Sequence, residues 1–185
     1  MKFLMFAASL RKESMNRKLI GLAAGIVRGA GHVVDPADFH EFDMPLYNGD
    51  LQAQSGLPPG ALEMVRRIEG ADGLIIASPE YNYSLPGTLK NAIDWVSRAK
   101  PMPLRGKSGL LLSAATSVVG GIRGLWQLRI PLEGLGVFLY PDMFALAAAD
   151  KAFAEDGTLK DPTLSSRLQT IMAGYLKAAE ALAKR

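Results

Sequence analysis

The chain contains no cysteine and only two histidines, His32 and His40. Disulfides, thiolate nucleophiles, cysteine zinc sites and iron–sulfur clusters are thereby excluded. Two histidines are too few for a histidine-built metal centre, so any redox chemistry has to come from a bound cofactor. Apolar runs such as residues 145–149 fall far short of the roughly 20 residues a bilayer span needs. The first residues enter a strand-like pattern with no separate leader core and cleavage site, so a cytoplasmic protein without membrane attachment is expected. Charge is nearly balanced, 21 basic against 18 acidic residues, and no Lys/Arg block marks a nucleic-acid surface. What is present is 185 residues at 49% hydrophobic, enough for a buried core in one domain spanning 1–185.

Short apolar runs alternate with helical periods. Residues 2–8 read as a buried strand and 15–30 as an amphipathic helix carrying Leu19, Leu22, Ala23, Ile26 and Val27. A weaker strand is expected over 32–38. Residues 39–59, rich in Pro, Gly, Asn and Gln, read as a long loop. A short helix over 60–69 precedes a very apolar strand over 73–78. Pro86 opens a helix over 86–98, with Ser84 at its N-cap. A fourth strand covers 108–115. The helix over 120–132 should kink or end at Pro131. A fifth strand runs over 136–140, reaching as far as Phe144. The last helix, 164–182, has Leu164, Leu168, Ile171, Met172, Tyr175 and Ala179 on its apolar stripe. This order is that of a doubly wound α/β fold, an open five-stranded parallel sheet with helices on both faces.

In such sheets ligands bind beyond the carboxyl ends of the strands. The loop after the first strand, Ala8-Ser9-Leu10-Arg11-Lys12-Glu13-Ser14-Met15-Asn16-Arg17, offers hydroxyls and arginines at a helix N-terminus, which suits a phosphate. Equally, Ser14 can cap the helix with Arg11 and Arg17 solvated. The loop matches neither G-x-x-x-x-G-K-[ST] nor G-x-G-x-x-G, which favours a mononucleotide over a triphosphate or dinucleotide. The loop Ser78-Pro79-Glu80-Tyr81-Asn82-Tyr83-Ser84 presents backbone amides and two aromatics that suit a heteroaromatic ring, or else a rigid turn with solvent-facing tyrosines. The loop 116–121 is small and Gly-rich, so a flat ring can approach its backbone.

Two stretches together resemble the NADPH-dependent FMN reductase family, which includes quinone, chromate and azo-dye reductases. They are Ser9-Leu10-Arg11-x-x-Ser14-x-Asn16 and Pro79-Glu80-Tyr81-Asn82-Tyr83-Ser84-x-Pro86-Gly87-x-Leu89-Lys90-Asn91-Ala92-x-Asp94-Trp95. The resemblance implies a flavodoxin-like sheet in strand order 2-1-3-4-5, tightly bound FMN, and a homodimer or homotetramer. It implies that Ser9, Arg11, Ser14, Met15 and Asn16 hold the FMN phosphate. By the same resemblance Pro79, Glu80, Tyr81 and Asn82 line the isoalloxazine with Tyr83 near it, and Ser117, Gly120 and Gly121 approach the ring. Two positions depart from the family pattern: Ala8 stands where the family usually has Gly, which requires a negative φ there, and Ser117 where it often has Gly.

The implied activity is that of an FMN-dependent NAD(P)H oxidoreductase. NADPH or NADH reduces the flavin and leaves, then a small acceptor (quinone, azo compound, chromate or free flavin) takes the electrons in a ping-pong scheme. No catalytic acid or base is needed, and none is assigned. A flavodoxin-type electron carrier is the alternative, against which stands the net positive charge. A phospho-acceptor domain lacks its acidic residues at Ala8-Ser9 and Ser78-Pro79. A metal-dependent hydrolase built on His40, Glu41 and Asp43 competes with a simple solvated loop. Arg129, Glu133 and Asp142 are candidates for interface ion pairs, or for ordinary surface ones. Trp95, off its helix's apolar stripe, is expected at a subunit interface or over the flavin edge.

Overall fold

The computed structural model describes residues 1–184. Its first strand, β1 (Lys2–Ala7), is followed by α1 (Met15–Gly29) and β2 (Val33–Ala37). Then come α2 (Gly49–Ser55), α3 (Pro59–Glu69), β3 (Gly73–Ala77), α4 (Gly87–Val96) and β4 (Ser108–Ala114). The chain finishes with α5 (Ile122–Gly134), β5 (Phe138–Leu139), β6 (Phe144–Leu146), α6 (Ala149–Ala152) and α7 (Pro162–Ala183). All pairings are parallel and the order is β2-β1-β3-β4-β5, the flavodoxin-like order. The chain leaves β1 for one side to form β2, then crosses to the other side for β3. That switch between β1 and β3 opens a crevice at their carboxyl ends.

Strands buried on both faces must be apolar throughout, and β3 and β4 are buried at every position. Strand alternation sorts their side chains into two cores. Phe3, Met5 and Ala7 pack with α1 and α7, while Leu4, Phe6 and Ala8 pack with α3, α4 and α5. The edge strand β2 carries Pro36, tolerated there because one edge needs no ladder donor. Arg67 of α3 closes that edge, pairing with Asp35 at 2.7 Å and donating to the Pro36 carbonyl at 2.6 Å.

Several local expectations change. The fifth strand is two short ones, β5 beside Ser108–Gly109 and β6 beside Leu112–Ala114. Pro141, which has no N–H to donate, lies in the break between them. Pro131 does not end α5, which continues to Gly134. Segment 39–59 is structured: a 3-10 turn over Phe39–Phe42 and the helix α2. The turn is closed by a capping box in which Glu41 accepts from the Asp38 N–H at 2.7 Å and Asp38 from the His40 N–H at 3.1 Å. Its Phe39 and Phe42 rings lie 5.8 Å from Phe6. Ser84 does not cap α4, which starts from Pro86.

Trp95 is at neither a subunit interface nor the cleft edge. It is fully buried, its indole N–H donates to the Pro45 carbonyl at 2.8 Å, and the Tyr47 ring meets it edge-on at 5.1 Å. It pins the 43–48 segment onto α4. Among the described residues no helix is long and apolar enough to cross a membrane.

Candidate functional site

The carboxyl ends of β1, β3 and β4 share one cleft. Ser9, Arg11, Ser14, Met15 and Asn16 line it from the first loop, Pro79, Glu80 and Tyr81 from the second, and Ala114, Ala115 and Thr116 from the third. Eight of the sequence-derived site residues therefore meet in one place.

The first loop is set by the sheet. Ala8 continues the β1 pairing by donating to the Ala77 carbonyl at 2.9 Å, and Ser9 N–H turns back to Ala7 at 2.8 Å. Among the described residues positive φ outside glycine occurs at Asn82, Tyr83 and Ala148, so Ala8 fits with no strain where the family usually has Gly. Ser9 is buried, and its hydroxyl oxygen accepts from the Arg11 N–H at 3.4 Å. Ser14 holds the N-cap backbone position of α1, yet its side chain makes no capping hydrogen bond. The first turn of α1 carries no acidic residue. A helix start left this way, with a buried hydroxyl beside it and Arg11 in the cleft wall, is suited to an anion.

Asn16 lines the cleft, and its side chain also carries a structural bond. It is buried, and its carboxamide is paired with the Ala114 main chain, donating at 3.0 Å and accepting at 2.9 Å. Its acceptor oxygen and one N–H are thus committed to joining α1 to the end of β4. Arg17 is likewise committed, gripping Asp38 through two nitrogens at 2.9 and 2.8 Å and reaching the Ser9 carbonyl at 3.5 Å. With the His40 N–H and ring also donating, this holds the Asp38 carboxyl well below the usual carboxylate range. His40 and Glu41 are absorbed into this network and the capping box. Among the described residues no group of three or more side chains is placed to hold a metal ion.

In the second loop, Tyr81 and Ser84 exchange backbone hydrogen bonds of 3.0 Å each way across a two-residue turn. Both central residues have positive φ, 48° at Asn82 and 67° at Tyr83. For a non-glycine residue that conformation costs about 1–2 kcal/mol. Glu80 lines the cleft with its side chain only 8% exposed. Its carboxylate accepts from Arg123 Nε at 2.9 Å and from the Gly124 N–H at 3.1 Å. Arg123 also lies over the Tyr83 ring, 4.3 Å from its centroid. Arg123 and Gly124 are therefore part of the loop's support, a role without a local sequence signal. A Cβ at Gly124 would lie 3.1 Å from Glu80 Cα and the Ser84 carbonyl.

Ser117, Gly120 and Gly121 stand outside the cleft lining. Their glycines answer to packing. Gly120 (φ 62°) lies against the backbone of 145–147, and Gly121 (φ 87°) covers the Ser113 hydroxyl. Asn82 and Tyr83 form the tip of the second loop instead of its wall. Arg129 pairs with Glu133 within α5, one turn apart.

A flavodoxin-like sheet with an anion-adapted first loop and an aromatic second loop defines a class of nucleotide-binding α/β proteins. Residues 1–151 match the model of the NADPH-dependent FMN reductase family, and the chain belongs to that family. It is similar to an NAD(P)H-dependent FMN reductase of Pseudomonas aeruginosa, 37% identical over 169 residues that cover 91% of this chain and 89% of that protein. A quinone reductase of Escherichia coli strain K12 is 47% identical over 87 residues, covering 47% of this chain and 46% of that protein, so this match spans about half its length. Among solved structures, the flavoenzyme NAD(P)H:(acceptor) oxidoreductase FerB from Paracoccus denitrificans superposes with a TM-score of 0.83 at 29% identity, covering 97% of each chain.

Proposed function

We propose that residues 1–185 form one FMN-binding domain that oxidises NADPH or NADH and reduces a small-molecule acceptor. The observation that carries the reading is the start of α1. Its N-cap residue Ser14 leaves its hydroxyl unused, no carboxylate occupies the first turn, and Ser9, Arg11 and Met15 converge on the same cleft. A phosphate with nearly two negative charges is the ligand such a start favours.

Ser9, Arg11, Ser14 and the first-turn N–H groups of Met15 and Asn16 would hold that phosphate. The Asn16 carboxamide sets the floor by fixing Ala114. Pro79, Glu80 and Tyr81 would wall the ring system, with Asn82, Tyr83 and the Ser117, Gly120 and Gly121 loop at its margins. FMN held by these residues would supply the hydride and electron-transfer chemistry, which no side chain of the chain provides. In balance, NAD(P)H, a proton and a quinone give NAD(P)⁺ and a hydroquinone. No side chain has to act as general acid or base in this scheme, and the buried Glu80 is already neutralised by Arg123. Donor and acceptor taking turns at this one cleft would make the kinetics ping-pong. Quinones, azo compounds, chromate and free flavin all suit an open face. A cytoplasmic homodimer or homotetramer fits this reading.

Purified protein reconstituted with FMN tests it. The expected result is a yellow protein that oxidises NAD(P)H when a quinone is added, with parallel lines in double-reciprocal plots. A protein that fails to retain FMN contradicts the reading. One that retains FMN without oxidising NAD(P)H is an electron carrier instead.

A further inference from the structure

We propose that Arg17 is a positioning residue for the cofactor phosphate, clamping the peptide between Ser9 and Leu10 so that the Leu10 N–H faces the anion. This role rests on the flavin-reductase reading above and adds to that site a residue that does not itself touch the ligand.

Arg17 has the wrong sign for its own helix. It stands in the first turn of α1, where the helix dipole is positive and favours a carboxylate. Nor is it free to act as a charge on the phosphate. Nη1 and Nη2 hold the Asp38 carboxylate at 2.9 and 2.8 Å, so the cation is neutralised where it stands. That pair adds little stability, since both side chains are partly exposed, 31% and 45%. Arg17 Nε, moreover, is buried without a protein partner, an arrangement that costs stability. A residue that opposes its helix and leaves a buried donor unused is kept for another contact.

That contact is the Ser9 carbonyl, 3.5 Å from Nη2. The neighbouring amides of the first loop are already taken. Ala8 N–H donates to the Ala77 carbonyl at 2.9 Å, Ser9 N–H to the Ala7 carbonyl at 2.8 Å and Arg11 N–H to the Ser9 hydroxyl at 3.4 Å. Among the described residues the Leu10 N–H has no such partner. The Ser9–Leu10 peptide is trans, so its N–H and its carbonyl point to opposite sides. Fixing the carbonyl on Arg17 therefore fixes the N–H on the other side of the loop, between Ser9 and Arg11, which both line the cleft. Asp38 fixes Arg17 in turn, reaching it from just beyond β2 through both carboxylate oxygens. A planar fork can hold a carboxylate and a carbonyl at once in one fixed geometry. A lysine ammonium on its flexible stem cannot reproduce it.

The experiment titrates cofactor-free wild type, Arg17→Lys and Asp38→Asn with FMN and with riboflavin, following flavin fluorescence. Riboflavin lacks the phosphate and so controls for any general loosening of the fold. Arg17→Lys keeps the positive charge beside Asp38 but loses the fork. Its FMN Kd should rise about ten-fold or more, while its riboflavin Kd stays within about two-fold of wild type. Asp38→Asn keeps the arginine but loosens its seat. It should shift FMN against riboflavin in the same direction by a smaller factor, and it carries the test alone if Arg17→Lys does not fold. An unchanged ratio of the two affinities in either folded variant, whether both flavins weaken or neither does, overturns the proposal. Failure of the underlying reading is seen in wild type itself: equal affinity for the two flavins there removes the phosphate site, and the positioning role with it.

Discussion

The Asn16 carboxamide and the Ala114 main chain, 98 residues apart, face one another as two paired strands do. Nδ2–H donates to the Ala114 carbonyl at 3.0 Å, and the Ala114 N–H donates to Oδ1 at 2.9 Å. One side chain thereby extends the pairing of β4 and joins the first loop to the third.

Replacing it leaves two buried backbone groups without partners. Asn16→Ala should destabilise the fold by roughly 1–3 kcal/mol, the cost of orphaned buried polar groups. Urea unfolding monitored by circular dichroism checks this. Asn16→Asp keeps the acceptor but loses the donor, placing a carboxylate oxygen against the Ala114 carbonyl, and should be at least as harmful.

Ser14 separates function from folding. A hydroxyl that caps a helix contributes about 1 kcal/mol to stability, but the Ser14 hydroxyl caps nothing. Ser14→Ala should therefore leave Tm within about a degree of wild type and weaken FMN binding by roughly 2- to 10-fold. Arg11→Ala removes a charge-assisted bond and should weaken FMN by about 10-fold or more. Flavin fluorescence titration reads both. Full FMN affinity in Arg11→Ala would remove Arg11 from the phosphate site.

Much of this architecture was legible in the chain itself. The unbroken apolar runs of β1, β3 and β4 announce strands covered on both faces, and the helices between them fix a parallel sheet. That the first and second loops meet at one cleft was legible because they follow those strands. The failures have non-local causes. The turn over Phe39–Phe42 lies hidden in polar composition, although the Asp38–Glu41 box and two phenylalanines were there to be read. Trp95 stands off its helix's own stripe because its partners, Pro45 and Tyr47, come from another segment. The packing of Gly120 and Gly121 against 145–147 and Ser113 has no local signal, because only the fold brings those neighbours in. No local pattern exposes Arg123 or Gly124, whose partner Glu80 is more than forty residues away.

Acid should act through Asp38. Its carboxyl titrates lower in the folded chain than in the unfolded one, chiefly because Arg17 grips it, with the His40 N–H and ring assisting. A depressed carboxylate contributes stability that is fully present above its ordinary value near pH 4 and is lost as pH falls below it. Wild type should lose Tm between pH 4 and pH 2 more steeply than Asp38→Asn, which has no such proton to take up. Equal slopes in the two proteins would remove Asp38 from the acid transition.

Gly124→Ala tests the seat of the second loop. The added methyl would press on Glu80 Cα and the Ser84 carbonyl at 3.1 Å. α5 and the turn must then separate, at a cost of about 1–3 kcal/mol. Thermal unfolding should show the loss, together with weaker FMN retention; a Tm equal to wild type would mean the two segments are not in firm contact.

The central claim, that the cleft at the start of α1 recognises the cofactor by its phosphate, is tested most directly by titrating the cofactor-free protein with FMN and with riboflavin under identical conditions. Two or more charge-assisted hydrogen bonds at roughly 1.5–3 kcal/mol each predict FMN binding about a hundred-fold tighter or more, with most of that preference lost in Arg11→Ala. Equal affinity for the two flavins would contradict the account.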